Sequence, residues 1–306
     1  MRAALIREAG EAPELVDDHP EPEGGLVAQV TAAPLNPVDL SIASGRFYAG
    51  PPNSPYVPGV EGVGCTEDGK RVWFETGAGY VGDGAMAERA AVAPERMVEL
   101  PDGVSDAVAG CLGVAGIAAW VPLANRACVE AGETVLILGA TGVVGQIGVQ
   151  AAKLLGAGKV IAAGRNAEKL AKIDADAHVQ LPATADGLRE AAGGPIDVVI
   201  DPLWGEHAPV ATEAMNVNGR LVMLGQSAGQ EATLDAGVVR GKALRILGHG
   251  NAVTPPDVKH AAFRAMCDHA AAGELKVEYE EVPLDRIADA WERQASSPHV
   301  KLIVVP

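Results

Sequence analysis

Aromatic side chains and paired thiols are both scarce in this chain. Only 4% of the 306 residues are Phe, Trp or Tyr, whereas 48% are hydrophobic, so the core has to be built mainly from Ala, Val, Leu and Ile. The four cysteines lie far apart and form no Cys-x-x-Cys pair. Disulfide scaffolds and structural zinc sites need clustered thiols, so both are disfavoured. We therefore expect a cytoplasmic protein in which all four cysteines are reduced thiols: Cys65, Cys111, Cys128 and Cys267.

Positive charge is also in short supply. Lys and Arg number 24 against 40 Asp and Glu, which gives a net charge of -16. An acidic surface repels nucleic-acid phosphates and anionic lipid head groups, so we expect neither nucleic acid nor a membrane as a partner. The segment 1–10 is charged and lacks the apolar run of an export signal. The uncharged runs 107–125 and 134–152 are interrupted by glycines, and we interpret them as buried segments of an α/β protein.

The pattern of predicted secondary structure changes near residue 130. Before it, short apolar segments alternate with Gly- and Pro-rich turns, which predicts a β-rich domain with strands at 2–6, 26–32, 71–74 and 85–93. After it, apolar strands alternate with helical stretches, which predicts a parallel sheet with helices on both faces. The predicted strands are 134–138, 159–163, 178–181, 197–200, 220–224 and 244–247, and the helices are 146–155, 167–173, 185–191 and 206–216.

The end of the chain predicts two further helix–strand units. Helix 257–272 and strand 276–282 are followed by helix 285–294 and strand 301–305. This tail is too short for a domain of its own. We therefore expect it to fold back onto the amino-terminal part.

A glycine-rich turn follows the strand 134–138. Gly139, Gly142 and Gly145 have the spacing G-x-x-G-x-x-G and lead into a predicted helix. Such glycines allow a sharp turn, a close approach of the backbone to a pyrophosphate and tight helix–strand packing, as in Rossmann dinucleotide-binding sites. A purely structural turn is the alternative, which the strand before and the helix after disfavour. The predicted phosphate-binding residues are Gly139, Thr141, Gly142, Val143, Val144 and Gly145.

The end of the second strand of this unit indicates which dinucleotide is bound. Sites selective for NAD usually carry an Asp or Glu there, but this chain has Gly164 and Arg165, with Lys169 close by. A guanidinium fork suits the 2′-phosphate of NADPH. Two solvated surface cations are the alternative interpretation. We predict NADPH as the cofactor.

Several segments in order resemble the medium-chain dehydrogenase/reductase superfamily, and within it the zinc-free quinone oxidoreductases. They are Ala33–Asp39, Tyr56–Gly64, Leu112–Trp120, Gly139–Gly145, Asp197–Asp201 and Gly219–Gly225, and they span nearly the whole chain. The resemblance implies an α/β fold with a Rossmann doubly wound parallel sheet at 109–250 and a β-rich GroES-like substrate domain formed by 1–108 and 251–306. It also implies a cleft between the domains and a homodimer joined through the cofactor domains.

The chain departs from the zinc-dependent members of that superfamily. Asn36 and Gly59-Val60-Glu61 stand where those enzymes carry a Cys and a Gly-His-Glu segment, and the four-Cys lobe is absent. A zinc ion therefore lacks its usual ligands, and we predict no metal site. The family's usual Thr in the segment 112–120 is replaced by Ala118. The resemblance also implies cofactor contacts by Leu224, Gly225, Gln226, Gly248 and His249.

Three residues are candidates for the chemistry itself. Asn36 matches the family's pocket position, although Asn36, Pro37 and Asp39 also form a typical helix start, and both roles are compatible. Tyr48 lies close to the stretch where related enoyl reductases carry a proton-donating Tyr, but Phe47 is an equally good match, and in that case solvent supplies the proton. A packing or surface role is a further alternative for Tyr48. His249 is a candidate proton donor, and a structural role is the alternative.

These observations predict an NADPH-dependent reductase for a small quinone or enone-like substrate. An enoyl-thioester or alkenal reductase is the nearest alternative. A non-catalytic NADPH-binding sensor or structural protein is an alternative from another class, and a zinc alcohol dehydrogenase is a third.

Overall fold

The computed structural model describes all residues, Met1–Pro306. The strands are β1 (Ala3–Leu5), β2 (Glu14–Val16), β3 (Leu26–Pro34), β4 (Glu61–Thr66), β5 (Arg71–Glu75), β6 (Arg89–Val92), β7 (Met97–Glu99), β8 (Thr134–Leu138), β9 (Lys159–Gly164), β10 (Ala177–Gln180), β11 (Ile196–Asp201), β12 (Met215–Met223), β13 (Arg245–Gly248), β14 (Tyr279–Pro283) and β15 (Lys301–Val305).

The helices complete the element order. They are α1 (Pro37–Ala43), α2 (Asp106–Leu112), α3 (Val114–Val121), α4 (Val143–Leu154), α5 (Ala167–Leu170), α6 (Ala185–Ala192), α7 (His207–Ala214), α8 (Ala236–Gly241), α9 (Pro256–Ala271) and α10 (Ile287–Ala295). Three short 3₁₀ segments cover Pro94–Arg96, Asn251–Val253 and Leu284–Arg286, and a π-helical segment covers Pro122–Ala127.

The chain folds into two compact units. The first unit comprises Met1–Ala115 and His260–Pro306, and the second comprises Gly116–Lys259. The domain limits expected from the resemblance, 1–108 with 251–306 and 109–250, stay a prediction.

The second unit is built on a six-stranded sheet in the order β10-β9-β8-β11-β12-β13, and every pairing in it is parallel. Numbered within the unit, this order is 3-2-1-4-5-6, the doubly wound order of dinucleotide-binding folds. Its central strands are buried except for one partly exposed residue in each, because helices cover both faces, as their mainly apolar sequences predict. The carboxyl ends of all six strands therefore meet at one edge of the sheet.

The first unit is a β-rich assembly centred on β3, in which every strand pairing is antiparallel except that of β14 with β15. In its main sheet the order is β14-β15-β3-β4-β5-β7, with β6 also paired to β3. The last strand, β15, runs antiparallel to β3, with Ile303 opposite Pro34 and Val304 opposite Ala33. The end of the chain therefore folds back onto the amino-terminal part, as expected. The predicted fold class, a parallel doubly wound sheet plus a β-rich domain, is confirmed.

Several elements differ in extent from the sequence-based expectation. The strand predicted at 85–93 is limited to Arg89–Val92, because the amides of Ala85 and Met86 bond to the carbonyls of Gly59 and Pro58 instead of to a ladder. The strand predicted at 220–224 begins earlier, at Met215, where α7 ends. No single helix has the length and apolarity to cross a bilayer; one pair, Asp106–Leu112 with Val114–Ala127, meets the test only together and is bent by 44°.

Candidate functional site

The glycine turn lies at the carboxyl edge of the second unit's sheet, between β8 and α4. Gly139 has a φ of +63°, a left-handed conformation that favours glycine. Gly142 is the N-cap of α4 and places no side chain over the end of the helix. The first amides of an α-helix have no partner within the helix, so this end directs free N–H groups and positive potential outward.

The three glycines of this turn have different surroundings. A Cβ on Gly145 would lie 2.4 Å from the Gly139 carbonyl oxygen and 2.5 Å from the Ala140 Cα, so α4 packs directly on the turn. A Cβ on Gly142 would meet only the Gly139 oxygen, at 3.5 Å. The packing of the chain therefore explains Gly145 but not Gly142. The opening beside Gly142 has the character of a ligand cradle.

Two neighbouring loops, after β11 and β12, interlock at the same edge. The Leu224 amide donates to the Asp201 carbonyl at 3.0 Å, and a Cβ on Gly225 would lie 2.5 Å from the Pro202 oxygen. Next along the chain, Gln226 is exposed. These contacts place the predicted residues 224–226 beside the loop after β11.

Sequence reasoning missed that loop after β11. Asp201 is fully buried, and its Oδ1 accepts hydrogen bonds from the amides of Leu203 and Trp204, both at 2.8 Å. Trp204 has a φ of +58°, which is unusual for so large a side chain. Leu203 also lies against the glycine turn, because a Cβ on Gly139 would approach its Cδ2 to 3.1 Å. The acid at the end of a buried strand was the available signal.

The residues predicted for the 2′-phosphate lie at the end of β9. Gly164 is buried against Thr141, whose Cγ2 would be 3.1 Å from an added Cβ. Arg165 is exposed, and its guanidinium forms no ion pair, although its carbonyl accepts a bond from Gln180. Asn166 caps α5 by accepting from the Lys169 amide at 3.0 Å. In a chain with 16 more acids than bases, an unpaired Arg is an available anion partner.

His249 follows β13, directly after Gly248. Its Nε2 lies 3.0 Å from the Asn251 Oδ1, and its Nδ1 is buried without a partner. Burial lowers the pKa of His249; the bond to Asn251 opposes that effect, and Arg126 lowers the pKa further. The ring is therefore neutral at pH 7, with the proton on Nε2 directed to Asn251. This arrangement favours a role for His249 in hydrogen bonding over a role as the acid that transfers a proton to the substrate.

A buried polar network occupies the first unit. The Asn36 side-chain amide donates to the Pro34 carbonyl at 3.1 Å and to the Glu61 Oε1 at 2.8 Å. Its Oδ1 accepts from the ammonium group of Lys301 at 2.5 Å, and that ammonium lies 3.9 Å from the Glu61 Oε1. All three residues are at most 2% exposed. Burial raises the pKa of Glu61 and lowers that of Lys301, and each charge opposes the shift of the other.

Glu61 uses both carboxylate oxygens within the protein. Its Oε2 accepts from the Trp73 indole at 2.8 Å and from the Val114 amide at 2.7 Å, at the first residue of α3. No group of three His, Cys, Asp or Glu side chains in the chain is arranged to hold a metal ion.

The helix start at Asn36 uses the side chains of two residues. The Asp39 Oδ2 accepts from the Asn36 backbone amide at 2.8 Å, and its Oδ1 accepts from the Val60 amide at 2.9 Å. Asn36 is the N-cap of α1 and forms a capping box with Asp39, and its side-chain amide group also bonds to Glu61 and Lys301. Capping and membership of the buried network therefore coexist at Asn36.

The buried carboxyl of Asp39 predicts a pH-dependent stability. Burial raises the pKa of Asp39 from 3.8 to about 6, against the lowering effect of the Asn36 and Val60 amides and of Lys301. The folded state therefore holds a proton that the unfolded chain releases. Its stabilisation is complete below pH ~4 and is lost as the pH rises through ~6, a change of about 3 kcal/mol. Urea unfolding from pH 4 to 7 should show this loss in the wild type relative to Asp39→Asn; parallel curves would contradict it.

Tyr48 lies apart from this network, in the loop after α1. Its side chain is 72% exposed, and its ring centroid is 4.1 Å from that of Phe47, which is half-buried. The hydroxyl group is available at the surface. This geometry favours neither Tyr48 nor Phe47 as the residue that corresponds to the family's Tyr.

Comparisons with known proteins agree with this architecture. A family model described as zinc-binding dehydrogenase matches residues 143–265. A quinone oxidoreductase from Lama guanicoe is 30% identical over 241 residues, which cover 74% of this chain and 73% of that protein. A phenolphthiocerol/phthiocerol polyketide synthase from Mycobacterium tuberculosis is 30% identical over 307 residues, covering 93% of this chain. The match spans only 14% of the polyketide synthase polypeptide.

Solved structures show the same relationship. The quinone oxidoreductase from Thermus thermophilus, also solved in complex with NADPH, aligns over the full length of both chains with a TM-score of 0.86 and 26% identity. This structural alignment includes both units. The sequence match to the Lama guanicoe quinone oxidoreductase covers most of that protein's length. The chain therefore belongs to the quinone oxidoreductase-like branch of the medium-chain dehydrogenase/reductase superfamily of oxidoreductases.

Proposed function

We propose that the chain is an NADPH-dependent reductase that acts on a quinone or an α,β-unsaturated carbonyl compound without zinc. The observation that carries this proposal is the open space beside Gly142, at the end of α4, with the unpaired guanidinium of Arg165 at the end of the neighbouring strand β9. The Thermus relative, which was solved with NADPH, supports the choice of cofactor.

The residues at the carboxyl edge fit the parts of the dinucleotide. The turn 139–145 holds the pyrophosphate through the free amides of α4. Arg165, with Lys169 nearby, binds the 2′-phosphate, because a guanidinium forms paired charge-assisted bonds to phosphate oxygens. The remaining cofactor contacts are Leu224, Gly225, Gln226, Gly248 and His249. When bound, NADPH supplies a hydride from its nicotinamide ring.

The proposal assigns roles to the candidate residues of the first unit. Asn36 already donates both amide hydrogens, so it acts as a positioning group and not as a proton donor. The exposed hydroxyl of Tyr48 is the candidate proton donor, with solvent as the source if Phe47 holds that position. His249, neutral at pH 7, orients the bound cofactor or substrate through hydrogen bonds.

The proposal that the enzyme works without zinc rests on the residues that stand at the positions of the expected zinc ligands. Asn36 replaces a thiolate, and an amide is a poor zinc ligand. Glu61 is enclosed and already accepts from Asn36, Trp73 and Val114. Metal binding there would break bonds of the buried network.

An enoyl-thioester reductase is the second candidate. The polyketide synthase matches 93% of this chain, which favours a thioester-bound enoyl substrate. Initial rates with quinones, 2-enals and enoyl thioesters, followed at the nicotinamide absorbance, separate the two. A higher kcat/KM for enoyl thioesters than for quinones would select the second candidate.

The proposal includes a cytoplasmic homodimer. All four cysteines are free, as in proteins of reducing compartments. The outer strand of the six-stranded sheet, β13, leaves one edge unpaired, and its Ile246 is 36% exposed. Such edges pair readily with another copy of the same strand.

The choice of cofactor can be tested at Arg165. Replacing it by Ala should weaken NADPH binding by about 10- to 100-fold, because one or two charge-assisted hydrogen bonds are lost. NADH binding should change less than about twofold, since NADH has no 2′-phosphate. Titration calorimetry with both cofactors measures the two effects.

The exposed Arg240, in α8, offers a matched control. Arg240→Ala changes the net charge equally and should leave both affinities unchanged. Equal loss of NADPH affinity in the two variants would show that only the overall charge matters. No binding of either dinucleotide to the wild type would overturn the proposed function itself.

A further inference from the structure

Aromatic residues, scarce elsewhere, are concentrated in one place in the first unit. Phe47 lies 4.1 Å from Tyr48 and 6.3 Å from Tyr80, measured between ring centroids. The ring of Tyr56 lies below Gly79, whose added Cβ would meet the Tyr56 Cε2 at 3.1 Å. Four of the 11 aromatic residues are thus gathered in two adjacent loops.

An exposed valine extends this group. Val81 is 85% exposed at the tip of the turn 77–82 and packs over Gly77, whose added Cβ would lie 2.8 Å from the Val81 Cβ. The amides of Tyr80 and Val81 both bond to the Gly77 carbonyl at 2.9 Å. The turn therefore holds an apolar side chain in water, next to Tyr80 in the chain. We call Phe47, Tyr48, Tyr80 and Val81 the aromatic wall.

A cavity of about 270 Å³ lies beside the wall, lined by Asn53, Pro55, Tyr56, Gly79, Tyr80, Val81, Gly82 and Asp83. Two donors of the lining are directed into the protein: the Tyr80 hydroxyl donates to the Gly50 carbonyl, and Asn53 Nδ2 donates to the Tyr80 carbonyl. The hydroxyl group of Tyr56 is buried without a partner. Asp83 adds a carboxylate, which is bonded to the Val57 amide and to His19 and repels anions. The lining combines these polar groups with the exposed side chain of Val81, which favours a neutral ligand that carries an apolar part.

The wall is also connected to the network around Asn36. An added Cβ on Gly79 would meet the Ile42 Cγ2 at 3.2 Å, and Ile42 lies on α1, whose N-cap is Asn36. The turn that carries Tyr80 and Val81 therefore packs against the helix that begins at the proposed positioning residue.

We propose that the aromatic wall binds the apolar tail of the electron acceptor and thereby selects acceptors by the size of that tail. This inference rests on the proposed function. Burying one methylene contributes about 0.8 kcal/mol, or roughly a fourfold gain in kcat/KM for each CH₂ that reaches the wall.

The test is a series of quinones that differ only in alkyl chain length. For the wild type, kcat/KM should rise about two- to fourfold per methylene until the chain outgrows the wall. Val81→Asp should flatten this dependence and leave kcat/KM for the unsubstituted quinone, and the affinity for NADPH, within about twofold, since an exposed side chain is replaced. Val217→Asp, at a 60% exposed valine of the second unit, is the matched control and should keep the wild-type slope. Equal slopes in wild type and Val81→Asp would overturn the inference.

A binding experiment separates this inference from the proposed function. Alkyl-substituted dimethoxybenzenes resemble the quinones but accept no hydride, and calorimetry measures their binding. Affinity that rises with chain length in the wild type and not in Val81→Asp supports the wall even if no acceptor is turned over. Equal binding to both proteins, or a change of oligomeric state on replacing Val81, overturns it.

Discussion

Replacing Gly142 by Ala is expected to weaken NADPH binding by about 100-fold while leaving the fold intact. The backbone at Gly142 has φ −81° and ψ 162°, which an Ala residue adopts without strain, and the new methyl group would meet only the Gly139 oxygen, at 3.5 Å. The methyl would instead fill the space into which the pyrophosphate has to come, and a clash of this kind costs about 1–3 kcal/mol. Titration calorimetry gives the affinity, and thermal unfolding without cofactor gives the stability.

Gly145→Ala is the informative comparison three residues along the same turn. Its methyl group would lie 2.4 Å from the Gly139 oxygen and 2.5 Å from the Ala140 Cα, both backbone atoms that cannot move aside. We expect this variant to lose stability by a few kcal/mol in the absence of any ligand. If Gly142→Ala bound NADPH as tightly as the wild type, the cofactor would not lie where we propose.

The second large effect is expected at Lys301. Replacing it by Met leaves the Glu61 carboxylate fully buried without its cation, so that Glu61 keeps an uncompensated charge or takes up a proton. Breaking a buried ion pair in this way costs about 3–5 kcal/mol. Chemical unfolding followed by tryptophan fluorescence should register the loss, because the Trp73 indole bonds to Glu61.

Two further variants identify the cause of that loss. Adding Glu61→Gln to Lys301→Met removes the orphaned charge and should recover part of the stability. Lys172→Met, at an exposed lysine of the second unit, should change the stability by less than about 0.5 kcal/mol. A Lys301→Met protein as stable as the wild type would mean that the buried pair contributes nothing to the fold.

The fold of the second unit could be predicted from the sequence because the patterns that indicate its strands and turns are local. Strand β8 has the limits predicted for it, and the glycine turn follows it directly. Apolar runs of this length must be buried on both faces, and the helices between them cover those faces. Right-handed connections between parallel strands then limit the strand orders that are possible.

The loop after β11 shows where local signals end. Its two interlocking partners, the glycine turn and the loop after β12, lie about 60 and 20 residues away along the chain. The sequence marks Asp201 as an acid at a strand end, but not which amides it binds. The left-handed backbone conformation of Trp204 depends on those bonds and on the packing of the loops.

The sequence by itself determined the class of fold, the position of the glycine-rich turn after β8 and the presence of a cation at the end of β9. Only the tertiary structure showed the partners of the Asn36 side chain, because Glu61 and Lys301 are 25 and 265 residues away along the chain. A helix start is a local pattern, so the sequence indicated the N-cap but not these contacts. Each buried polar group must find a partner, and Asn36 is the side chain that bonds to both Glu61 and Lys301.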